Sequence, residues 1–232
     1  MKIGAVIPCR TGSKGIPGKN FRAFNGQALW QWTFDTAMQA GIFDKIIVSS
    51  DGGIQNCVVP VWDNVIYDDE RPAELSDDKA SLDDLLVYYA HKYPEIDLWA
   101  LLQPTSPLRT ADDIKAAYAI VRAEKYDSLV SVTSNPGMLW VDNAAGLKGH
   151  NYPIATYHIH KRPNRQDRGD WYMENGAIYF TKKYVLDQMH CRLGGHIALY
   201  PMSQERSLEI DTPLDWEIAE FVASRREREE AA

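Results

Sequence analysis

The chain opens on a short apolar run, Ile3-Gly4-Ala5-Val6-Ile7, which stops at Pro8 and empties into CRTGSKGIPGKN over residues 9–20. No other stretch constrains the fold as tightly. A short run rich in β-branched residues reads as a buried strand. The segment after it carries three glycines, one proline, three cations (Arg10, Lys14, Lys19) and two hydroxyls (Thr11, Ser13). Glycine lets backbone approach a ligand closely, and Lys and Arg supply the charge that polyphosphate oxygens require. A strand running into such a loop suits phosphate binding. The loop is neither G-x-x-x-x-G-K-[ST] nor G-x-G-x-x-G.

Downstream the pattern alternates strand and helix. Ala28–Ala40 has a helical period, with Leu29, Trp32, Phe34, Ala37 and Met38 on the apolar side and Gly41 placed to end it. Ile46-Ile47-Val48 then reads as a second strand, ending in Ser49-Ser50-Asp51-Gly52-Gly53. This βαβ unit puts the basic loop and the Asp51 loop on one carboxyl edge of a parallel sheet, where ligands bind in open α/β folds. Further strands are expected at Val65–Tyr67, Leu98–Leu102 (central, from its unbroken apolar character), Ser128–Val132, Gly176–Phe180, His196–Tyr200 and Leu208–Asp211. Helices are expected at Leu82–Lys92 capped by Ser81, Ala111–Glu124 capped by Thr110, near Lys182–Met189, and at Pro213–Glu230 capped by Thr212. Between about Thr133 and Gly169 the rhythm breaks, and we read that segment as an excursion used in dimer contact. The expected fold is one domain over residues 1–232, a three-layer α/β/α sandwich with a Rossmann-like, mainly parallel sheet.

A formal net charge of −7 argues against non-specific nucleic-acid binding. The cations that matter are local: Arg10, Lys14, Lys19 and Arg22 crowd into one stretch of an acidic protein, which favours a small anionic ligand. Cys9, Cys57 and Cys191 form no C-x-x-C pair and suggest neither a disulfide framework nor a zinc site. The opening run is too short for a signal peptide, and no segment has the length of a membrane span, so a cytoplasmic location with no membrane partner is expected. Near the end, Glu209 and Asp211 stand at i and i+2. On a strand they would face one side, an arrangement that suits a hard cation, although an isolated pair of this kind is usually solvated.

Several stretches together resemble one family. R-x-x-S-K-G-I-P-x-K-N at residues 10–20, Val48-Ser49-Ser50-Asp51, Arg71-Pro72-Ala73-Glu74-Leu75, residues 101–109 (LLQPTSPLR), residues 161–167 (KRPNRQD) and Glu174-Asn175-Gly176-Ala177-Ile178-Tyr179 are similar to motifs of the CMP-sialic acid synthetases, the acylneuraminate cytidylyltransferases. The resemblance runs nearly full length. It implies a Mg2+-dependent reaction of CTP with a nine-carbon 2-keto acid sugar to give the CMP-sugar and pyrophosphate, carried out by a homodimer. Arg10, Ser13, Lys14 and Lys19 would then hold the triphosphate, with Asn20, Arg71 and Ser81 seating the nucleotide. Gln103, Arg165, Asn175 and Tyr179 would face the sugar. Arg10, Lys19, Arg165 and Asp211 would carry the chemistry, and Asp211 with Glu209 would hold the metal. The family has D-I-D where this chain has Glu209-Ile210-Asp211, so Asp211 is the firmer ligand. Alanine is more usual where this chain has Cys9. Two alternatives stay open on sequence alone: a Kdo-type or other sugar acceptor, against which Ser13-Lys14-Gly15 speaks, and a silent nucleotide-binding protein of the same fold. No side chain stands out as the general base. The whole reading requires the basic loop and the acidic tip near residue 210 to converge on one bound triphosphate.

Overall fold

The structure, a computed structural model, describes residues 1–57, 59–77, 80–123, 125–135, 137–141, 154–162, 164 and 171–230. The opening run forms β1 (Ile3–Pro8), followed by the small hairpin strands β2 (Ala23–Phe24) and β3 (Gln27–Ala28) and by α1 (Leu29–Ala40). Gly41 ends α1 in the left-handed region at φ 63°, as its position predicted. Next come β4 (Lys45–Ser49), β5 (Val65–Asp68), α2 (Leu82–Lys92), β6 (Leu98–Leu101), α3 (Ala111–Val121) and β7 (Ser128–Asn135). The chain then forms β8 (Trp140–Val141), β9 (Ile154–Ala155), β10 (Trp171–Lys182), α4 (Lys183–Met189), β11 (Ile197–Met202) and α5 (Pro213–Glu230).

Seven strands make the main sheet in the order β11-β7-β10-β6-β1-β4-β5. β10 runs antiparallel to both its neighbours, and the other pairings are parallel. β6 is central, and its Leu98, Trp99, Ala100 and Leu101 are all buried, as an uninterrupted apolar strand should be. One face packs Trp30, Phe34 and Ala37 of α1 with Ile114, Ala117 and Val121 of α3. The other packs Leu85, Leu86 and Tyr89 of α2 with Leu186 of α4. The three-layer α/β architecture expected from the strand–helix alternation is therefore the one adopted. A third cluster joins Ile16 of the basic loop to Leu108, Ile210 and Trp216, so α5 is packed against the loop it has to face.

Two expectations need correction. The break in rhythm does not begin at Thr133. β7 continues to Asn135 and pairs Trp171–Glu174 of β10 in an antiparallel ribbon beyond the sheet. Trp171, Tyr172, Met173 and Glu174 are all exposed there, so the backbone ladder to β7 carries the ribbon, not a buried face. Residues 208–211 form no strand. Ile210 N donates to Thr105 O at 2.8 Å, a single tether where a ladder was expected. β8 and β9 pair with each other within the excursion, while Arg165 and residues 142–153 lie outside the described residues.

Candidate active site

β1, β4 and β6 end side by side, and a cleft of about 360 Å³ opens at their carboxyl ends. The basic loop forms one wall. Thr11 N donates to Asp51 Oδ1 at 2.7 Å and Cys9 N to Ser49 O at 2.8 Å, so the loop is pinned to the end of β4. Asn20 is buried and donates its amide to Arg10 O at 2.9 Å, which closes the loop on itself. Gly18 takes φ 63°, a conformation costly for any residue with a Cβ. Cys9 is fully buried and donates to Ser49 O, and burial pushes its thiol pKa up. The departure from alanine therefore leaves an inert packing group.

The loop meets the acidic tip directly. Lys19 is 9% exposed, and its Nζ lies 2.6 Å from Ile210 O and 3.0 Å from Asp211 Oδ1. A Cβ on Gly15 would collide with the Asp211 carbonyl oxygen. Glycine is required there because backbone meets backbone. Asp211 lines the cleft with its side chain 66% exposed. Thr212 and Asp215 exchange capping bonds at the start of α5 (Thr212 N to Asp215 Oδ2, 2.7 Å; Asp215 N to Thr212 Oγ1, 3.3 Å) and so fix the turn that carries Asp211.

The opposite wall comes from β5 and α2. Arg71 is buried, its Nε donates to Ser76 Oγ at 3.1 Å, and its Nη2 has no hydrogen-bond partner among the described residues. Burial lowers its pKa and the nearby Asp51 opposes that shift, yet a guanidinium stays charged. A buried guanidinium nitrogen without a partner, on a cleft wall, calls for an anionic or carbonyl partner. Ser81 caps α2, accepting from Asp83 N at 3.0 Å, and it lines the same cleft, as do Arg10, Ser13 and Lys14.

The remaining predicted residues cluster at the β6–β10 junction. Gln103 lines the cleft and donates Nε2 to Gly176 O at 3.0 Å. Asn175 and Gly176 sit in an irregularity of β10 between Glu174 and Tyr179, with Gly176 at φ 68°. The Asn175 amide oxygen accepts from Ser131 Oγ (2.6 Å) and Ala177 N (3.2 Å), and its nitrogen donates to Ser207 Oγ (2.8 Å) and Met202 Sδ (3.4 Å). Every polar position of that side chain is used by the fold. Asn175 thus ties the bulge together through Ala177 N and three side chains, and it is not among the residues lining the cleft where the expected sugar contact would be made. Tyr179 is buried, donates to Glu174 Oε2 at 3.2 Å and lies under the Arg192 guanidinium; burial pushes its phenol up to about 12. It is not among the residues lining the cleft.

Glu209 also stands apart from that lining. Thr105 Oγ1 donates to its Oε1 at 3.3 Å, and burial, with Asp211 adding to it, raises its carboxyl above the usual range. Mg2+ is commonly held by one or two carboxylates plus substrate phosphates. Among the described residues no three His, Cys, Asp or Glu side chains converge as a ready-made cage. The accessible Asp211 carboxylate on the cleft wall fits the substrate-assisted kind of site, and Glu209 fits it less well.

Sequence reasoning quoted Asp51 and Arg109 within motifs but gave neither a role. Asp51 anchors the loop, and Arg109 is buried against the Gln103 turn. The cytidylyltransferase family matches this chain across residues 5–230. The chain belongs to the cytidylyltransferase family. Other members share its sequence at moderate identity. It is 31% identical to N-acylneuraminate cytidylyltransferase A of Danio rerio, over 94% of this chain and 50% of that protein. It is 32% identical to N-acylneuraminate cytidylyltransferase of Escherichia coli O18:K1:H7 (98% and 54%) and 33% identical to that of Streptococcus agalactiae serotype III (93% and 52%). This cytidylyltransferase-family chain thus spans about half the length of the curated relatives it matches. Its fold is shared with a CMP:2-keto-3-deoxy-manno-octonic acid synthetase complexed with CTP, with TM-score 0.69 and 18% identity over 97% of this chain and 100% of that one. A 4-diphosphocytidyl-2C-methyl-D-erythritol synthase from Anaerococcus prevotii gives TM-score 0.63 and 14% identity, over 96% and 98%.

Proposed function

We propose that this chain transfers a cytidylyl group from CTP to a nine-carbon, sialic-acid-type 2-keto acid sugar, releasing pyrophosphate. The observation that carries the reading is the Lys19–Asp211 pair. It brings the basic loop and the acidic tip to one cleft, as a triphosphate site requires. The names of the relatives support the acceptor class.

The anomeric hydroxyl oxygen attacks the α-phosphorus and gives up its proton, the bond from that phosphorus to the β-bridging oxygen breaks, and pyrophosphate leaves. Such transfer depends on positioning and charge neutralisation more than on covalent help. Arg10, Ser13, Lys14 and Lys19 grip the phosphates and neutralise the departing charge. Asn20 acts through the loop, by its bond to the Arg10 carbonyl. Arg71 offers its unpaired Nη2 to the nucleotide, beside Ser81. Gln103 faces the sugar. Arg165, by resemblance, pairs with the sugar carboxylate. Asp211 would hold Mg2+, which when bound would supply Lewis-acid neutralisation on the phosphates. Glu209 orients this tip through Thr105.

A homodimer through the excursion is part of the same reading. Leu139, Trp140, Ile159, Trp171 and Met173 are large apolar side chains exposed around the ribbon, more than single scattered residues would explain. Among the described residues no helix is long and apolar enough to cross a membrane, and we assign the chain to the cytoplasm. Pyrophosphate release from CTP and Mg2+ with a panel of acid sugars tests the function. Turnover with nonulosonic acids supports it. Turnover restricted to the eight-carbon acid, or CTP binding without turnover, overturns it.

A further inference from the structure

Arg109 is 3% exposed, at the end of the turn that follows β6. Its guanidinium reaches both sides of the β6–β10 junction. Nη1 donates to Ala177 O, and Nη2 donates to Thr33 Oγ1 and, at 2.8 Å, to Gln103 O. Thr33 Oγ1 in turn lies 3.5 Å from Gln103 O. Gln103 is therefore held twice: its carbonyl by Arg109, and its side-chain nitrogen by Gly176 O, the residue before the one that Arg109 grips.

We propose that Arg109 is a positioning residue that sets the Gln103 amide toward the acceptor sugar. The inference deepens the cytidylyl-transfer reading and rests on it. One N–H of the Gln103 amide is spent on the Gly176 carbonyl, and Gln103 lines the cleft, so the plane of its amide is fixed where it borders the ligand space. An amide held in a fixed plane offers its Oε1 acceptor and its second N–H in set directions, so it discriminates among sugar hydroxyl and N-acyl groups by where they lie. Fixing that orientation costs a buried cation, and burial lowers the Arg109 pKa accordingly. A plain hydrophobic turn would close the junction without that cost. Three carbonyl and hydroxyl partners converging on one guanidinium make the turn geometrically unique.

The test is a double-mutant cycle between Arg109→Lys and Gln103→Ala, with sugar and CTP varied separately and thermal melts alongside. The expected result is a loss in kcat/KM for the sugar on the order of tenfold in Arg109→Lys, about what one misplaced hydrogen-bonding group removes. KM for CTP should stay unchanged, and there should be almost no further loss when Gln103 is already Ala. Equal losses for both substrates, or additive losses in the double variant, would overturn the proposal. If Arg109→Lys does not fold, Thr33→Val carries the same cycle, since it removes one partner of the guanidinium at constant volume. Hydrogen exchange of the Gln103 side-chain amide, followed by NMR in the unchanged chain and in Thr33→Val, reads the positioning without turnover. Protection that drops in the variant supports the proposal even if the acceptor proves to be another sugar. Protection absent from the unchanged chain, or unaltered in the variant, sinks it while leaving the proposed reaction untouched.

Discussion

The Lys19 ammonium lies 3.0 Å from the Asp211 carboxylate across 192 residues of sequence, and at 2.6 Å it also holds the Ile210 carbonyl. These two contacts join the basic loop to the acidic tip. Lys19 is oriented by the tip, and Asp211 is aimed by Lys19, on one wall of the cleft.

Lys19→Met should leave Ile210 O without its partner and remove a phosphate-facing charge. We expect kcat to fall by about 10²-fold or more, as when one transition-state donor is lost, with a stability loss of about 1–3 kcal/mol. Asp211→Asn should abolish turnover and leave the melting temperature nearly unchanged, because that carboxylate is largely exposed. Steady-state pyrophosphate assays and denaturant melts distinguish the two behaviours.

Gly15→Ala places a methyl on the Asp211 carbonyl. Backbone has to shift on one side or the other, at a cost of about 1–3 kcal/mol. The loop should then retreat from the cleft. Calorimetric CTP titration should show weaker binding, and normal affinity in a normally stable variant would mean that the loop and the tip do not need this contact.

Arg71→Met removes a buried donor that has no partner among the described residues. The protein should be about as stable as before, since relief of a buried cation with one unpaired nitrogen offsets the lost bond to Ser76 and the lost attraction to Asp51. CTP affinity should drop at least tenfold, the factor that about 1.4 kcal/mol represents. A variant that loses stability and keeps its affinity would give Arg71 a purely structural role.

Glu209 provides a test of sign with pH. Burial raises its folded-state pKa, so the folded protein binds this proton more tightly than the unfolded chain does. Ionisation therefore costs stability. That cost is absent below the ordinary carboxylate range near about pH 4 and fully present above the raised folded value. Glu209→Gln keeps an acceptor for Thr105 and should be the more stable protein at neutral pH, with the advantage shrinking as pH falls. Urea midpoints for both proteins across that window decide it, and a gap independent of pH would refute the burial argument.

Asn175→Ala should destabilise by about 2–4 kcal/mol, because two acceptor and two donor contacts in a buried bulge go unmet. CTP affinity should be retained, since the side chain lies off the cleft lining. Denaturant midpoints and the same titration check both halves.

The alternation of strand and helix, the caps at Ser81, Thr110 and Thr212, the Gly41 stop and the central place of Leu98–Leu101 were all legible in the chain. They depend on local chemistry: periodicity, φ preference, and side chains that can satisfy a neighbouring N–H. The basic loop announced its ligand class for the same reason, since its charge and glycines sit within one short stretch. What the chain could not disclose were the relationships between distant segments. The carboxylates at residues 209 and 211 differed in sequence only through the family's D-I-D pattern, which favoured Asp211, and nothing local said where either would point. Packing sends Asp211 to the cleft beside Lys19 and turns Glu209 toward Thr105. Asn175 read as a ligand-facing residue until the bulge in β10 claimed all its hydrogen bonds, and Arg109 had no role in the sequence until three groups from α1, β10 and its own turn closed around it. Burial and long-range hydrogen bonding set the role of a polar side chain, and both exist only once the sheet has brought its strand ends together.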